Sequence, residues 1–227
     1  KIGFYDTRQL NWVNTIESEF SIIKEEILNY IEADAQRMVP YFNKDLVSKN
    51  SVWKTSAFRF WNWNFKKNKA ICPETMRILN KVPNLVSASI SILESNSEIK
   101  PHRGDTDAIM RGHLPIVVPH DKSNLGFKVK EEERVWEEGR LLLFNDAAYH
   151  SAWNRSSAQR IVLIIDVIRP EFKKQEMKIC SRILSSLLFQ NLSLKFSWVK
   201  NFKQSQKNIF IKSLAFVIQP ILRLQNL

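Results

Sequence analysis

LVSASISIL, residues 85–93, opens a stretch running to Pro170 that decides the fold. The runs that follow are AIMRGHLPIVV (108–118), GFKVK (126–130), RVW (134–136), RLLLF (140–144) and RIVLIIDVI (160–168). Each is short and β-rich. Turn signals such as SNLG, EEG and NRSS fall between them. Several short strands at this spacing point to a sandwich, jelly roll or barrel.

Outward from this core the texture is helical. Toward the N-terminus, Trp12, Ile16, Phe20, Ile23, Ile27 and Ile31 recur every three or four residues and mark one apolar face. The intervening Glu17, Glu19, Lys24, Glu25 and Glu26 read as the solvated face of the same helix. SAFRFWNWNF (56–65) has aromatics with a period near two, which suits a strand or extended wall, and its rings read as core or as the lining of a substrate groove. ICPETMRILNKVP (71–83) reads as a short helix with Pro73 in its first turn and Pro83 closing it. After Pro170 the chain is again apolar, basic and helix-compatible. The expected organisation is therefore an α+β chain: an N-terminal helical and aromatic segment (1–84), a sandwich, jelly-roll or barrel core (85–170) and a basic amphipathic tail (171–227).

The chain has 227 residues and a formal net charge of +11, and the location of that charge narrows its meaning. Residues 171–227 carry ten Lys and Arg against two Glu, so most of the excess sits in the tail and nucleic acid is not the first reading of the body. Cys72 and Cys180 give neither a disulfide framework nor a metal-ligand spacing, which favours a reducing compartment. With no signal-peptide pattern and no apolar run of membrane-spanning length, the expected location is cytoplasmic, or peripheral at the inner face of a membrane. Residues 209–224, IFIKSLAFVIQPILRL, place Phe210, Leu214, Val217 and Ile218 on a stripe before Pro220 with Lys212 and Arg223 nearby. This reads either as a helix lying on an anionic membrane surface or as one packed on the jelly roll.

Three of the four histidines, His102, His113 and His120, lie within PHRGDTDAIMRGHLPIVVPH (101–120). Residues two apart share a strand face, so Arg111 and His113 project together. Inward-pointing imidazoles are costly unless they meet a metal, an anion or one another. His150, which lies 48 residues beyond His102, follows the run RLLLF, so two imidazoles from separate strands meet in the barrel mouth or serve as ordinary hydrogen-bonding histidines. Non-haem iron(II) oxygenases use two histidines and a carboxylate, usually spaced His-x-Asp/Glu, but the third position here is Gly104.

SISIL, IKPHRG, MRGHLPIVVP, VWEEGRLLLFND, YHSAWN and QRIVLIIDVIRP follow one another in an order and spacing that resemble the aspartyl/asparaginyl β-hydroxylase family. CPET (72–75) resembles the helix leading into that family's core. The resemblance implies a double-stranded β-helix (jelly roll) and a dioxygenase using Fe(II), 2-oxoglutarate and O2. It implies His102 and His150 as metal ligands, HRG resembling members that hold iron by two histidines alone. It further implies Arg160, helped by Ser91, at the distal carboxylate of 2-oxoglutarate, and Arg111 with His113 at the carboxylate nearer the metal. A guanidinium suits the task because its fork binds a carboxylate in two places and stays charged when buried. Without the resemblance, Arg160 reads as an ion-pair residue and Ser91 as a strand hydroxyl. Asp105 and Asp107 read as turn-shaping residues, with metal ligation the alternative. Asp146 reads as a turn residue or a partner of His150, turn geometry being preferred, and His120 as a loop histidine.

For the substrate, the two-histidine pattern points first to the β-carbon of an Asp or Asn residue in a peptide or carrier-bound substrate. The general plan with its cationic C-terminus also resembles lipid A acyl-chain hydroxylases, which carry Asp where this chain has Gly104. A third class, a non-catalytic jelly roll that binds a metal or small acid, conflicts with the retention of the metal and cosubstrate residues together.

Overall fold

The computed structural model describes residues 2–47 and 52–226. In chain order the elements are α1 (Asn11–Ser18), α2 (Phe20–Ala33), β1 (Val39–Pro40), β2 (Trp53–Phe60), β3 (Trp63–Asn64), α3 (Lys66–Ile71) and α4 (Pro73–Leu79). The strands β4 (Leu85–Leu93), β5 (Ser97–His102), β6 (Ile109–Val117), β7 (Leu125–Val129), β8 (Glu132–Arg134), β9 (Leu142–Phe144), β10 (His150–Asn154) and β11 (Arg160–Ile168) follow. Helices α5 (Glu176–Lys195), α6 (Ser197–Lys200) and α7 (Gln204–Gln225) end the chain.

The strands form two antiparallel sheets, the double-layered jelly roll. The larger runs β1-β2-β4-β11-β6-β9, with β3 also paired to β2, and the smaller runs β5-β10-β7-β8. Strand β2, from the aromatic segment, is thus an integral strand of the large sheet, pairing with β4 from Trp53↔Leu93 onward.

Alternation along β4 explains how one strand serves two environments. Ala88, Ile90 and Ile92 face the helices, whereas Ser87, Ser89, Ser91 and Leu93 face the other sheet. Strand β11 repeats this, with Ile161, Leu163 and Ile165 toward the helices and Arg160, Val162, Ile164 and Asp166 inward. The N-terminal helices cover the outer face, where Ile16, Ile23 and Ile27 are fully buried. Each such side chain contributes on the order of 1.5–3 kcal/mol.

The acidic residues of the first helices differ from the solvated face expected of them. Glu26 accepts backbone N–H bonds from Glu74 (3.0 Å) and Thr75 (2.6 Å), supplying the N-terminal cap that α4 lacks from its own sequence. Glu17 accepts from the Leu141 N–H at 2.8 Å and from Arg140 at 2.7 Å, pinning α1 to the approach to β9. These carboxylates satisfy backbone donors of distant elements, which helical periodicity does not reveal.

The C-terminal helices form a hairpin, α7 against α5. It is clamped to the β2–β3 turn, where Trp61 and Asn62 both have positive φ (48° and 66°). The side chain of Asn226 donates to the Asn62 carbonyl (2.9 Å), and the Asn64 N–H donates to Gln225 Oε1 (2.9 Å). Trp61, Cys180 and Leu222 are buried together in the cluster beneath, and that burial offsets the cost of the left-handed backbone at Trp61. Helix α7 continues through Pro220, beyond the apolar stripe that precedes it. Pro220 removes one helical hydrogen bond, but Leu222 and the Asn226 clamp hold the last turn. Among the described residues no helix is long and apolar enough to cross a membrane.

Candidate active site

His102 ends β5 and His150 begins β10, and the two pair directly across the small sheet. Their rings lie 4.2 Å apart between centroids at 57°. His102 Nδ1 contacts the Lys100 carbonyl at 2.8 Å and His150 Nδ1 the Ala148 carbonyl at 2.9 Å. A carbonyl only accepts, so each neutral ring carries its hydrogen on Nδ1 and keeps the Nε2 lone pair free. Burial disfavours the charged form of both: His102 is lowered from its ordinary value, and His150, next to His102, is lowered to about 3. Two neutral imidazoles with free Nε2 atoms side by side are a donor set suited to a divalent transition metal.

The nearest carboxylate is Asp146, itself buried. Its Oδ1 lies 3.8 Å from His150 Nε2 and accepts from Arg111 Nη1 at 2.7 Å. Arg111 also forks Asp166, through Nε at 2.7 Å and Nη2 at 2.9 Å. Three of its donors are thus committed to protein carboxylates, and its evident work is to hold Asp146 against the imidazoles. Gly104 makes this placement possible: a Cβ built there falls 1.6 Å from Asp146 Oδ2. The Gly104 N–H meanwhile donates to the Asp146 carbonyl at 2.8 Å. The Asp146 carboxylate thus fills the space that a side chain after His102-x would need, and it is more than the turn residue that local sequence favoured. Asp105 lines the same chamber, whereas Asp107 lines a separate cleft with Tyr149 and Arg169. Among the described residues no group of three His, Cys, Asp or Glu side chains converges as a metal cage. His120 is exposed on a loop, as its sequence context implies.

Deeper between the sheets, Arg160 is 1 % exposed and its Nε has no hydrogen-bond partner. Its guanidinium carbon lies 4.6 Å from the centre of the Trp136 ring. Burial lowers its pKa to about 9, which leaves it charged at neutral pH, and among the described residues no carboxylate pairs with it. Two other buried polar atoms lack partners in the same cluster: Trp136 Nε1 and His113 Nδ1. Burial and the Arg160 charge hold His113 neutral, well below its ordinary value. Ser91, paired with Val162 two residues along β11 from Arg160, accepts a hydrogen bond from Trp53 Nε1 at 3.0 Å, so its own hydroxyl hydrogen remains to be donated. A buried cation beside orphaned polar atoms fits a small carboxylate ligand, since burying such groups without a partner costs several kcal/mol on the order of the values known for buried charges.

Local sequence did not single out Trp136, Trp53 or Asp166. The only local signal for Trp136 and Asp166 was their position within strand-like runs, and Trp53 precedes the aromatic run 56–65, since their roles come from contacts with distant residues.

The native-state histidines bind fewer protons than unfolded ones, which fixes the sign of a pH effect. In metal-free protein the contribution of His150 is complete above its unfolded pKa near 6.5 and is lost as pH falls toward 3. At pH 5.5 the loss from His150 alone is on the order of 1 kcal/mol. Urea unfolding in chelator is therefore expected to show a midpoint that is flat from pH 8 to 7 and falls below 6.5, with a shallower fall in His150→Leu.

Residues 17–170 match the family model for aspartyl/asparaginyl beta-hydroxylase. The chain is 28% identical over 225 residues to a protein of Rhizobium tropici named ornithine lipid ester-linked acyl 2-hydroxylase, covering 95% of this chain and 77% of that protein. It is 28% identical over 181 residues to human aspartyl/asparaginyl beta-hydroxylase, covering 76% of this chain but 23% of the relative. A solved Pseudomonas putida prolyl-4-hydroxylase superposes at a TM-score of 0.45 with 10% identity, over 70% of this chain and 98% of that one. With two imidazoles paired across a jelly roll and a family model spanning its helical and β core, the chain belongs to the aspartyl/asparaginyl β-hydroxylase family.

Proposed function

We propose that the protein is an Fe(II)- and 2-oxoglutarate-dependent dioxygenase that hydroxylates an unactivated carbon. The observation carrying this reading is the pair of free Nε2 atoms of His102 and His150 beside the unpaired Arg160 guanidinium. His102 and His150 hold the metal. Arg160 receives the distal carboxylate of the cosubstrate, with the hydroxyl of Ser91 donating to it and Trp136 and His113 supplying polar contacts from the same buried cluster. Arg111 fixes Asp146 beside the metal ligands, a change from the direct cosubstrate contact that the family resemblance implies for it. The metal, when bound, activates O2: one oxygen atom enters the substrate C–H bond and the other enters succinate as 2-oxoglutarate loses CO2. The apolar walls around the imidazoles, Phe127 and Phe144, exclude water from the reacting centre.

The substrate class favoured here is a lipid acyl chain, the alternative to the Asp or Asn side chain that the family resemblance puts first. Helix α7 leaves Ile209, Phe216 and Leu224 strongly exposed along one stripe, with Phe216 82% accessible, and Lys212 and Arg223 flank it. Apolar side chains bordered by cations on one helix face suit the surface of an anionic membrane. The Rhizobium relative, named for a lipid hydroxylase, is matched across 95% of this chain. The protein is expected to float with anionic phosphatidylglycerol vesicles in low salt. Phe216→Ser should reduce the floated fraction severalfold, and vesicles of neutral lipid should recruit little.

The reaction is tested by succinate formation from 2-oxoglutarate with added Fe(II) under air. His102→Ala and His150→Ala are each expected to reduce it by about 100-fold or more, since even outer-shell partners of a metal site are worth 10–100-fold. Equal turnover in the parent and both variants would refute the assignment.

A further inference from the structure

The aromatic rings packed against the two imidazoles differ in chemistry. Phe144 and Phe127 lie 5.2 Å and 6.2 Å from the His150 ring between centroids, and Trp53, the first residue of β2, lies 6.3 Å from the His102 ring. A cavity of about 200 Å³ holds His102, Arg111 and Asp146, and Trp53 is in its wall. Neither phenylalanine is among the described residues of that wall. The indole is fixed at its edge and on its face. Its Nε1 donates to Ser91 Oγ at 3.0 Å, and its ring stacks on Tyr41 with centroids 3.8 Å apart and planes 20° from parallel. Trp53 is 8 % exposed, whereas Trp198, on the short helix α6, is 62 % exposed. An oxidant in bulk solution therefore meets Trp198 first, and one formed in the chamber meets Trp53.

We infer that Trp53 is a site of covalent self-modification: when the chamber holds no substrate, the protein's own reaction places one oxygen atom on the Trp53 indole ring. The inference rests on the dioxygenase reading. In each event a ring C–H becomes C–OH with one atom of O2, the ring hydrogen ending on the hydroxyl. The other atom enters succinate as 2-oxoglutarate loses CO2. The indole and 2-oxoglutarate each give up two electrons, which together reduce both atoms of O2. Placement carries the inference: among the described residues Trp53 alone is an aromatic ring that both packs against a proposed metal ligand and lines its chamber. Its chemistry agrees, because an indole is more electron-rich than a benzene ring and is the more easily oxidised of the two. Stacking on the Tyr41 phenol spreads the positive charge that builds on the ring as it is attacked. Substrate in the chamber takes the oxygen instead, so the mark on Trp53 records turnover without substrate.

The test incubates the whole chain with Fe(II), 2-oxoglutarate and isotopically labelled O2, with catalase present and no substrate, and maps its peptides by mass spectrometry. The expected result is one labelled oxygen on Trp53, about tenfold or more above samples lacking Fe(II) or 2-oxoglutarate, because proximity favours the ring held beside the reacting centre. Trp198 should stay unlabelled, and a red-shifted indole absorption should persist after the metal is chelated. Trp53→Phe, its folding checked by melting temperature, should lose the label at position 53 relative to succinate formed, without transferring it to Trp198. The site mapped in the parent chain decides the matter even if that variant does not fold. Label confined to Trp198 and other exposed side chains is oxidation from solution and overturns the inference. Succinate formation with unlabelled Trp53 overturns it and retains the dioxygenase. Label on Trp53 that needs Fe(II) but not 2-oxoglutarate refutes the dioxygenase and the coupled step, and neither succinate nor label rejects both.

Discussion

Arg160→Met is expected to raise the melting temperature of the ligand-free protein and to abolish its stabilisation by 2-oxoglutarate. Both effects arise from one buried cation. Arg160 is 1 % exposed, its Nε has no partner, and its nearest compensation is the face of the Trp136 ring. A ring face returns only part of what a guanidinium loses on leaving water. Replacing buried ionic groups by apolar residues of similar volume is often neutral or stabilising by about 1–4 kcal/mol. The ligand-bound state responds in the opposite direction. Truncating one partner of a buried charged pair costs about 2–5 kcal/mol, so 2-oxoglutarate affinity should fall by roughly 30-fold or more. Thermal melts with and without 2-oxoglutarate, together with calorimetric titration, separate the two effects. A variant that melts earlier yet still binds 2-oxoglutarate normally would make Arg160 a packing residue and remove the cosubstrate site.

Gly104→Asp is expected to inactivate the protein, although it creates the His-x-Asp spacing common among iron(II) oxygenases. A Cβ at position 104 would lie 1.6 Å from Asp146 Oδ2 and 2.2 Å from Asp146 Cγ, so the new side chain must drive the existing carboxylate out of place. That carboxylate is held by Arg111 at 2.7 Å and stands 3.8 Å from His150 Nε2. Its displacement disturbs His150, the proposed metal ligand, and unpairs part of a buried ion network. The expected cost is about 10–100-fold in metal affinity or turnover, with roughly 1–3 kcal/mol of stability from overpacking. Gly104→Asp combined with Asp146→Gly relieves the collision, so the double variant should be more stable than the sum of the singles requires. Coupling of more than about 0.5 kcal/mol in that cycle would establish that the two positions compete for one space. Additive effects would separate them, and full activity in Gly104→Asp alone would show that Asp146 has no part in the site.

The strands were legible in the sequence because each carries its own evidence. In β4 and β11 the side chains alternate between two faces, and turn residues mark both ends, so local spacing sufficed to indicate a sandwich, jelly roll or barrel, which the family resemblance narrowed to the jelly roll. His102, His150 and Arg160 were singled out by an ordered set of short motifs, whose resemblance to the family implied the roles proposed for them. Composition likewise located the positive charge in the tail.

Partnerships were decided only by the tertiary structure. The pattern of α1 and α2 cannot state that Glu17 and Glu26 bind backbone donors more than forty residues away. Nothing near Asp146 says that its carboxylate takes the room left by Gly104, or that Arg111 is committed to two carboxylates. The residues that line both the His102 chamber and an apolar groove beside α5 likewise come together only once β2 joins the large sheet and the C-terminal hairpin folds back over it. Periodicity and turn chemistry are properties of neighbouring residues and survive in a linear reading. Which buried charge meets which, and which surfaces enclose a cavity, depend on elements far apart in the chain, and packing alone brings those together.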